Sequence, residues 1–120
     1  MIKKNLILLG MMGVGKTTLG KIVAKKLLYN FFDTDQLIEK ANMMSVKEIF
    51  EKKGEKFFRQ EEEKIILKYL NEKNAVIALG GGAFMNPRVR SRILLNSISV
   101  WLNLNIKNLN LRLRKNFKRP

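Results

Sequence analysis

One hundred and twenty residues at 46% hydrophobic content suit one domain with a real core. The chain has neither cysteine nor histidine. That excludes a disulfide framework, a thiolate or histidine metal site, a histidine general base and a Ser-His-Asp triad. Its 24 basic residues against 10 acidic ones give a formal charge of +14, and no acid follows Glu72.

In chain order, the apolar run Leu6-Ile7-Leu8-Leu9 predicts a buried strand near Asn5–Leu9. Gly10 to Thr17 follow as GMMGVGKT, a complete G-x-x-x-x-G-K-[ST] loop, and Thr18 to Leu28 have helical spacing of apolar residues. Phe31-Phe32-Asp33 predicts a short second strand and Gln36–Ala41 a helix. Ser45-Val46-Lys47-Glu48 is a capping box that opens the next helix, and Gly54 is expected to stop it. A long helix follows over about 55–71, with Phe58, Ile65, Ile66 and Tyr69 as core candidates. Ala75–Leu79 predicts a strand that runs into Gly80-Gly81-Gly82. Asn86-Pro87 supplies an N-cap and a first-turn proline for a helix to about Leu95. Ile98–Leu102 predicts another strand and Ile106–Arg114 a last helix. Strand and helix alternate, so the expected fold class is α/β, a three-layer α/β/α arrangement on a parallel sheet.

The glycine-rich loop sits between strand and helix, where a phosphate cradle must sit. Its main-chain N–H groups and the helix N-terminus face one anion. Gly13, Val14, Gly15, Lys16, Thr17 and Thr18 are the candidate ATP-binding residues. Lys16 is expected to reach the β- and γ-phosphates, and Thr17 to offer its hydroxyl to Mg²⁺. Asp33 and Asp35 end the second strand two residues apart, so both carboxylates can face the same crevice. One can hold Mg²⁺ through water and the other accept a proton from an attacking hydroxyl; the plainer alternative is a helix cap by Asp35. Arg59 is a natural fork for a carboxylate, with Glu62 one helical turn on to hold it. Gly80, Gly81 and Gly82 are expected to let backbone approach a substrate closely. The strand before them carries no acid where a Walker B aspartate would stand, which leaves metal handling to Thr17 and the Asp33/Asp35 pair.

The charge of +14 has two readings. A nucleic-acid surface is one. The other is a set of clamps for ATP and an anionic substrate, together with the Lys, Asn and Ile bias of an AT-rich genome. Aromatic residues do not interleave with the basic ones as on a base-stacking platform, so nucleic acid is not the expected partner. No apolar run approaches the ~20 residues of a membrane span, and the first residues lack the apolar core of a signal peptide, so a cytoplasmic address without membrane association is expected.

Taken together, GMMGVGKT, the DTD at 33–35, G-E-x-x-F-R at Gly54–Arg59, LGGGA at 79–83 and the final Arg-Pro resemble shikimate kinase, in order and spacing over essentially the whole chain. The resemblance implies a nucleoside-monophosphate-kinase-like P-loop fold with a five-stranded parallel sheet. It implies transfer of the γ-phosphate of ATP to the 3-hydroxyl of shikimate, in aromatic amino-acid biosynthesis. By the same resemblance Lys16 stabilises the transferred group, Thr17 binds Mg²⁺ and Asp33 sits in the metal's water shell. Asp35 binds the shikimate hydroxyls and is the candidate base, Arg59 pairs with the carboxylate, Gly80–Gly82 contact the substrate, and Phe58 is in the pocket wall. Arg112 lies near ATP and Arg119 is the lid arginine over the phosphates, so the catalytic set is Lys16, Asp35 and Arg119.

In the family the Arg-Pro opens the lid and more chain follows, with a second carboxylate-binding arginine, a fifth strand and a final helix. The chain is therefore expected to be a single truncated domain over residues 1–120 with a lid beginning near 112–120, acting as a monomer on ATP and shikimate. Two alternatives stand beside this: another small-molecule kinase, such as a gluconate-type enzyme, or a non-catalytic nucleotide-binding or nucleic-acid-binding remnant.

Overall fold

The computed structural model describes residues 4–10 and 14–102. Its elements are strand β1 (Asn5–Gly10), helix α1 (Val14–Leu27), strand β2 (Asn30–Asp33), helices α2 (Thr34–Asn42) and α3 (Val46–Tyr69), strand β3 (Ala75–Ala78), a 3₁₀ turn (Ala83–Met85), helix α4 (Pro87–Asn96) and strand β4 (Ser97–Leu102). The strands form one parallel sheet in the order β2-β3-β1-β4. The expected helix over Ile106–Arg114 and the lid near 112–120 lie outside the described residues.

Period-2 alternation sorts the strand side chains into two layers. Leu8, Val76 and Ala78 point to one face and meet Leu19, Val23 and Ala24 of α1. Ile7, Leu9, Ile77 and Leu79 point to the other and meet Ile66 of α3 with Val89 and Ile93 of α4. Every residue of β3 is buried, as expected for a central strand covered on both faces. Each fully buried aliphatic side chain here contributes about 1.5–3 kcal/mol over exposure. A third cluster, Ile38, Ile49, Phe58 and Ile65, joins α2 to α3.

Close packing of α1 on β2 depends on Gly20, where an added Cβ would lie 2.2 Å from Phe31 Cε1. Asn5 is a buried polar exception: its amide donates to the carbonyl of Glu72 at 2.7 Å and accepts from Ala75 N–H at 2.9 Å, tying the start of β1 to the start of β3.

The capping box at Ser45 forms in both directions, Glu48 N–H donating to Ser45 Oγ and Ser45 N–H to Glu48 Oε1. Asn86 caps α4 through Arg88 and Val89 N–H, with Pro87 in the first turn. The two helices expected on either side of Gly54 are the two halves of α3, joined across a kink where Gly54 has φ 89° and ψ 166°. Helix α2 begins two residues earlier than its apolar spacing predicts. The cap is Asp33, which accepts from Gln36 N–H at 3.2 Å, so the alternative that Asp35 caps this helix is incorrect.

Candidate active site

The parallel sheet delivers the ends of β1, β2 and β3 to one edge, and the polar residues gather there. Val14 and Gly15 open α1; Lys16 and Thr17 follow in its first turn, and Thr18 is exposed. Lys16 is buried and donates to the carbonyls of Leu79 and Gly10, the latter at 3.5 Å. It thereby spans the ends of β1 and β3. Burial lowers its pKa, while the carboxylates of Asp35 and Asp33 oppose that shift. Thr17 Oγ1 donates to Asp33 Oδ2 at 2.9 Å, so these two oxygens are held together from different elements. Gly13, Arg112 and Arg119 lie outside the described residues.

Asp35 behaves differently from Asp33. It is half-buried, and its Oδ1 finds no hydrogen-bond donor among the described residues. Burial raises its pKa to about 6, reinforced by the charges of Asp33 and Glu62 and opposed by Lys16. Beside it, Arg59 Nη1 donates to Glu62 Oε1 at 2.9 Å, as one helical turn of spacing predicts. The guanidinium also lies 5.3 Å from the Phe58 ring centroid. Glu62 is 3% exposed, and its Oε2 likewise has no donor among the described residues. Burial pushes its pKa up against the opposing effect of Arg59.

Asp35, Val46, Phe50, Phe58, Arg59, Glu62 and Gly80–Gly82 line one cavity of about 420 Å³. Phe58 is therefore both core and pocket wall. The glycines matter for a reason that sequence alone did not supply. An added Cβ at Gly80 would stand 2.6 Å from Asp35 Oδ1, and one at Gly82 would stand 2.7 Å from Arg59 Nη2. The close approach seen is to the site's own charged side chains.

The sequence reading did not anticipate the separate roles of Glu61, Glu62 and Glu63. Glu61 accepts from Asn42 at the end of α2, Glu62 from Arg59, and Glu63 from Asn86 and Arg88 at the start of α4. Three successive residues on a helix point in three directions about 100° apart, which was the available signal.

Strand order, loop position and the lysine at the head of α1 define a P-loop kinase-type α/β domain. A family model described as "SKI: Shikimate kinase" matches residues 12–120. The shikimate kinase of Bacillus subtilis (strain 168) is 48% identical over 107 residues, covering 88% of this chain and 58% of that protein. That of Bartonella henselae is 42% identical over 117 residues, covering 98% of this chain and 56% of that protein. The solved shikimate kinase from Acinetobacter baumannii in complex with shikimate superposes with a TM-score of 0.81 at 34% identity, covering 98% of this chain and 65% of that one. The chain belongs to the shikimate kinase family. It spans between a half and two thirds of the length of these relatives. No helix among the described residues is long and apolar enough to cross a membrane.

Proposed function

We propose that this chain carries the phosphoryl-transfer and acceptor-binding parts of a shikimate kinase, which moves the γ-phosphate of ATP to the 3-hydroxyl of shikimate. The observation that carries this reading is the chemistry of the 420 Å³ cavity. It is lined by one arginine fork and by the side chains of Asp35 and Glu62, whose Oδ1 and Oε2 are buried with no hydrogen-bond donor among the described residues. A ligand with one carboxylate and several hydroxyl donors complements that set.

In this reading Arg59 binds the carboxylate and fixes the orientation of the ring, with Glu62 holding the guanidinium. The attacking hydroxyl lies against Asp35. Its oxygen bonds to the γ-phosphorus, its proton passes to the Asp35 carboxylate, and the bond from the γ-phosphorus to the β–γ bridging oxygen breaks with its electron pair leaving on ADP. A pKa near 6 leaves Asp35 ionised at pH 7 and more basic than an exposed aspartate. Lys16 leaves its carbonyl contacts for phosphate oxygens and stabilises the charge of the transferred group. The Gly13–Thr18 segment cradles the phosphates; Arg112 near the nucleotide and Arg119 over the phosphates complete the proposed set.

The metal reading fits one feature of the structure. Thr17 Oγ1 and Asp33 Oδ2 stand 2.9 Å apart, and among the described residues no cluster of three or more acidic or other metal-ligating side chains could hold an ion by itself. Such a sparse oxygen set suits Mg²⁺, which keeps several waters and takes phosphate oxygens as ligands. Thr17 and Asp33 would hold it, and the ion when bound would neutralise charge on the phosphates.

The test is ADP release from Mg-ATP by the 120-residue chain with shikimate, gluconate, AMP or no acceptor, repeated with Asp35→Asn. Shikimate-dependent release is expected, falling ~10²–10⁴-fold in the variant while ATP binding is kept. Equal release with every acceptor, or normal turnover by Asp35→Asn, would overturn the reading.

A further inference from the structure

Helix α3 meets the Gly80–Asn86 segment at two points, by packing at Gly82 and by hydrogen bonds at Asn86. Arg59 lies against Gly82, close enough that a Cβ there would meet the guanidinium at 2.7 Å. Four residues on, and so on the same helical face, Glu63 Oε1 accepts from Asn86 Nδ2 at 2.6 Å and from Arg88 Nε at 2.9 Å, with Arg88 Nη2 also at 2.9 Å. These donors, Asn86 first and then Arg88, hold the Glu63 carboxyl below the usual carboxylate range, so it stays ionised near neutral pH.

The orientation of the Asn86 amide is fixed from both ends. Its Oδ1 accepts from Arg88 N–H at 2.9 Å and Val89 N–H at 3.3 Å while its Nδ2 donates to Glu63. Between these two points three backbone hydrogen bonds tie the chain together. Ala83 N–H donates to Gly80 O at 3.2 Å, Met85 N–H to Gly82 O at 3.2 Å and Asn86 N–H to Ala83 O at 3.1 Å. These bonds link the position of Asn86 to that of Gly82.

We infer that Glu63 is a positioning residue for the acceptor pocket: through Asn86 and Arg88 it sets the separation between α3, which carries Arg59, and the Gly80–Gly82 loop. A second cavity of about 450 Å³, lined by Arg59, Glu62, Gly82 and Met85–Arg88, lies beside this clamp and shares three residues with the acceptor pocket. Loss of the clamp lets the shared wall shift toward that space. The functional half of this inference rests on the proposed shikimate site.

The experiment has two arms on the full 120-residue chain. The first is amide hydrogen exchange of residues 80–86 without substrate, in the parent, Glu63→Ala, Glu63→Gln and Asn86→Ser. Serine keeps an oxygen for the helix cap but loses the donor to Glu63, whereas glutamine keeps an acceptor for Asn86. Glu63→Ala and Asn86→Ser are expected to speed exchange over 80–86 and leave β1 and β3 at parent rates, with Glu63→Gln close to the parent. The second arm is steady-state kinetics. The same two variants are expected to raise KM for shikimate about five- to tenfold, with kcat and the KM for ATP within about twofold of the parent.

Parent-like exchange in Glu63→Ala and Asn86→Ser overturns the clamp. Faster exchange with an unchanged KM for shikimate overturns its link to the pocket, and so does an equal loss of kcat and affinity for both substrates. Should the parent show no shikimate-dependent turnover, the proposed function falls, and the exchange arm alone still decides the clamp.

Discussion

Lys16 and Thr17 at the proposed phosphate end come from one stretch of chain, while Asp35, Arg59, Glu62 and Gly80–Gly82 at the proposed acceptor end come from three. The two ends also differ in how their polar groups are satisfied. At the phosphate end Lys16 is bonded to two backbone carbonyls and Thr17 to Asp33. At the acceptor end two buried carboxylate oxygens find no donor among the described residues. A phosphate arriving at the first end has to replace existing contacts. A ligand arriving at the second can supply donors that the described residues do not provide there, and a buried acceptor left unmatched costs about 1–3 kcal/mol. Affinity at one end is thus an exchange of contacts, and at the other it is relief of a penalty.

Substitutions that touch one end only test this division. The largest effect is expected from Lys16→Met, with kcat lower by ~10²–10³-fold because the proposed electrostatic stabiliser of the transferred group is gone. Titration calorimetry of the same variant should show shikimate affinity reduced far less than kcat, since Lys16 reaches the acceptor end only through its charge on Asp35 and its bond to Leu79 O; a parallel loss would mean that the two ends are not separable. Next is Arg59→Ala, which removes a charge-assisted bond of about 1.5–3 kcal/mol and so raises KM for shikimate ~10–100-fold, with the KM for ATP unmoved. Arg59→Lys should recover only part of it, since an ammonium cannot reproduce the fork.

The smallest effect is on stability. The pKa of Asp35 rises from 3.8 to about 6 on folding, so the folded state binds this proton more tightly than the unfolded one. The stabilising contribution of this group is therefore complete below about pH 4 and is lost as pH rises to about 6 and beyond. Asp35→Asn removes the titration. Thermal melts should show the variant gaining on the parent across that window, reaching on the order of 1–2 kcal/mol at pH 7 after solvent screening. No gain at pH 7 would show that the carboxylate is not penalised in the fold.

Much of this architecture was legible because it is written in local chemistry. The GMMGVGKT loop, the Ser45–Glu48 capping box, Asn86-Pro87 and the break at Gly54 each depend on residues close together in sequence, and the structure bears out the capping box, the Asn86 cap and the break. The Arg59–Glu62 pair was legible for the same reason. What escaped the sequence depends on distance in space. Which aspartate caps α2 turns on where β2 ends against β3, and Asp33 pairs with Ala78 at the last rung of that ladder. The close approaches at Gly80 and Gly82 are to Asp35 and Arg59, side chains of other elements. The three directions of Glu61, Glu62 and Glu63 require the placement of α2 and α4 around α3.

Gly54 shows how a residue can shape a site without touching it. A Cβ there would meet nothing within 4 Å, so space is not the constraint. Its φ of 89° with ψ of 166° lies in a region essentially reserved to glycine, and an L side chain held there costs about 1–3 kcal/mol. Val46 and Phe50 enter the acceptor cavity from the half of α3 before this residue, and Phe58, Arg59 and Glu62 from the half after it. The relative heading of the two sets of lining residues is thus encoded in one pair of backbone torsions. The pocket's outline is inherited from a bend in the chain, and chemically mild replacements at that bend redraw it while every lining side chain stays the same.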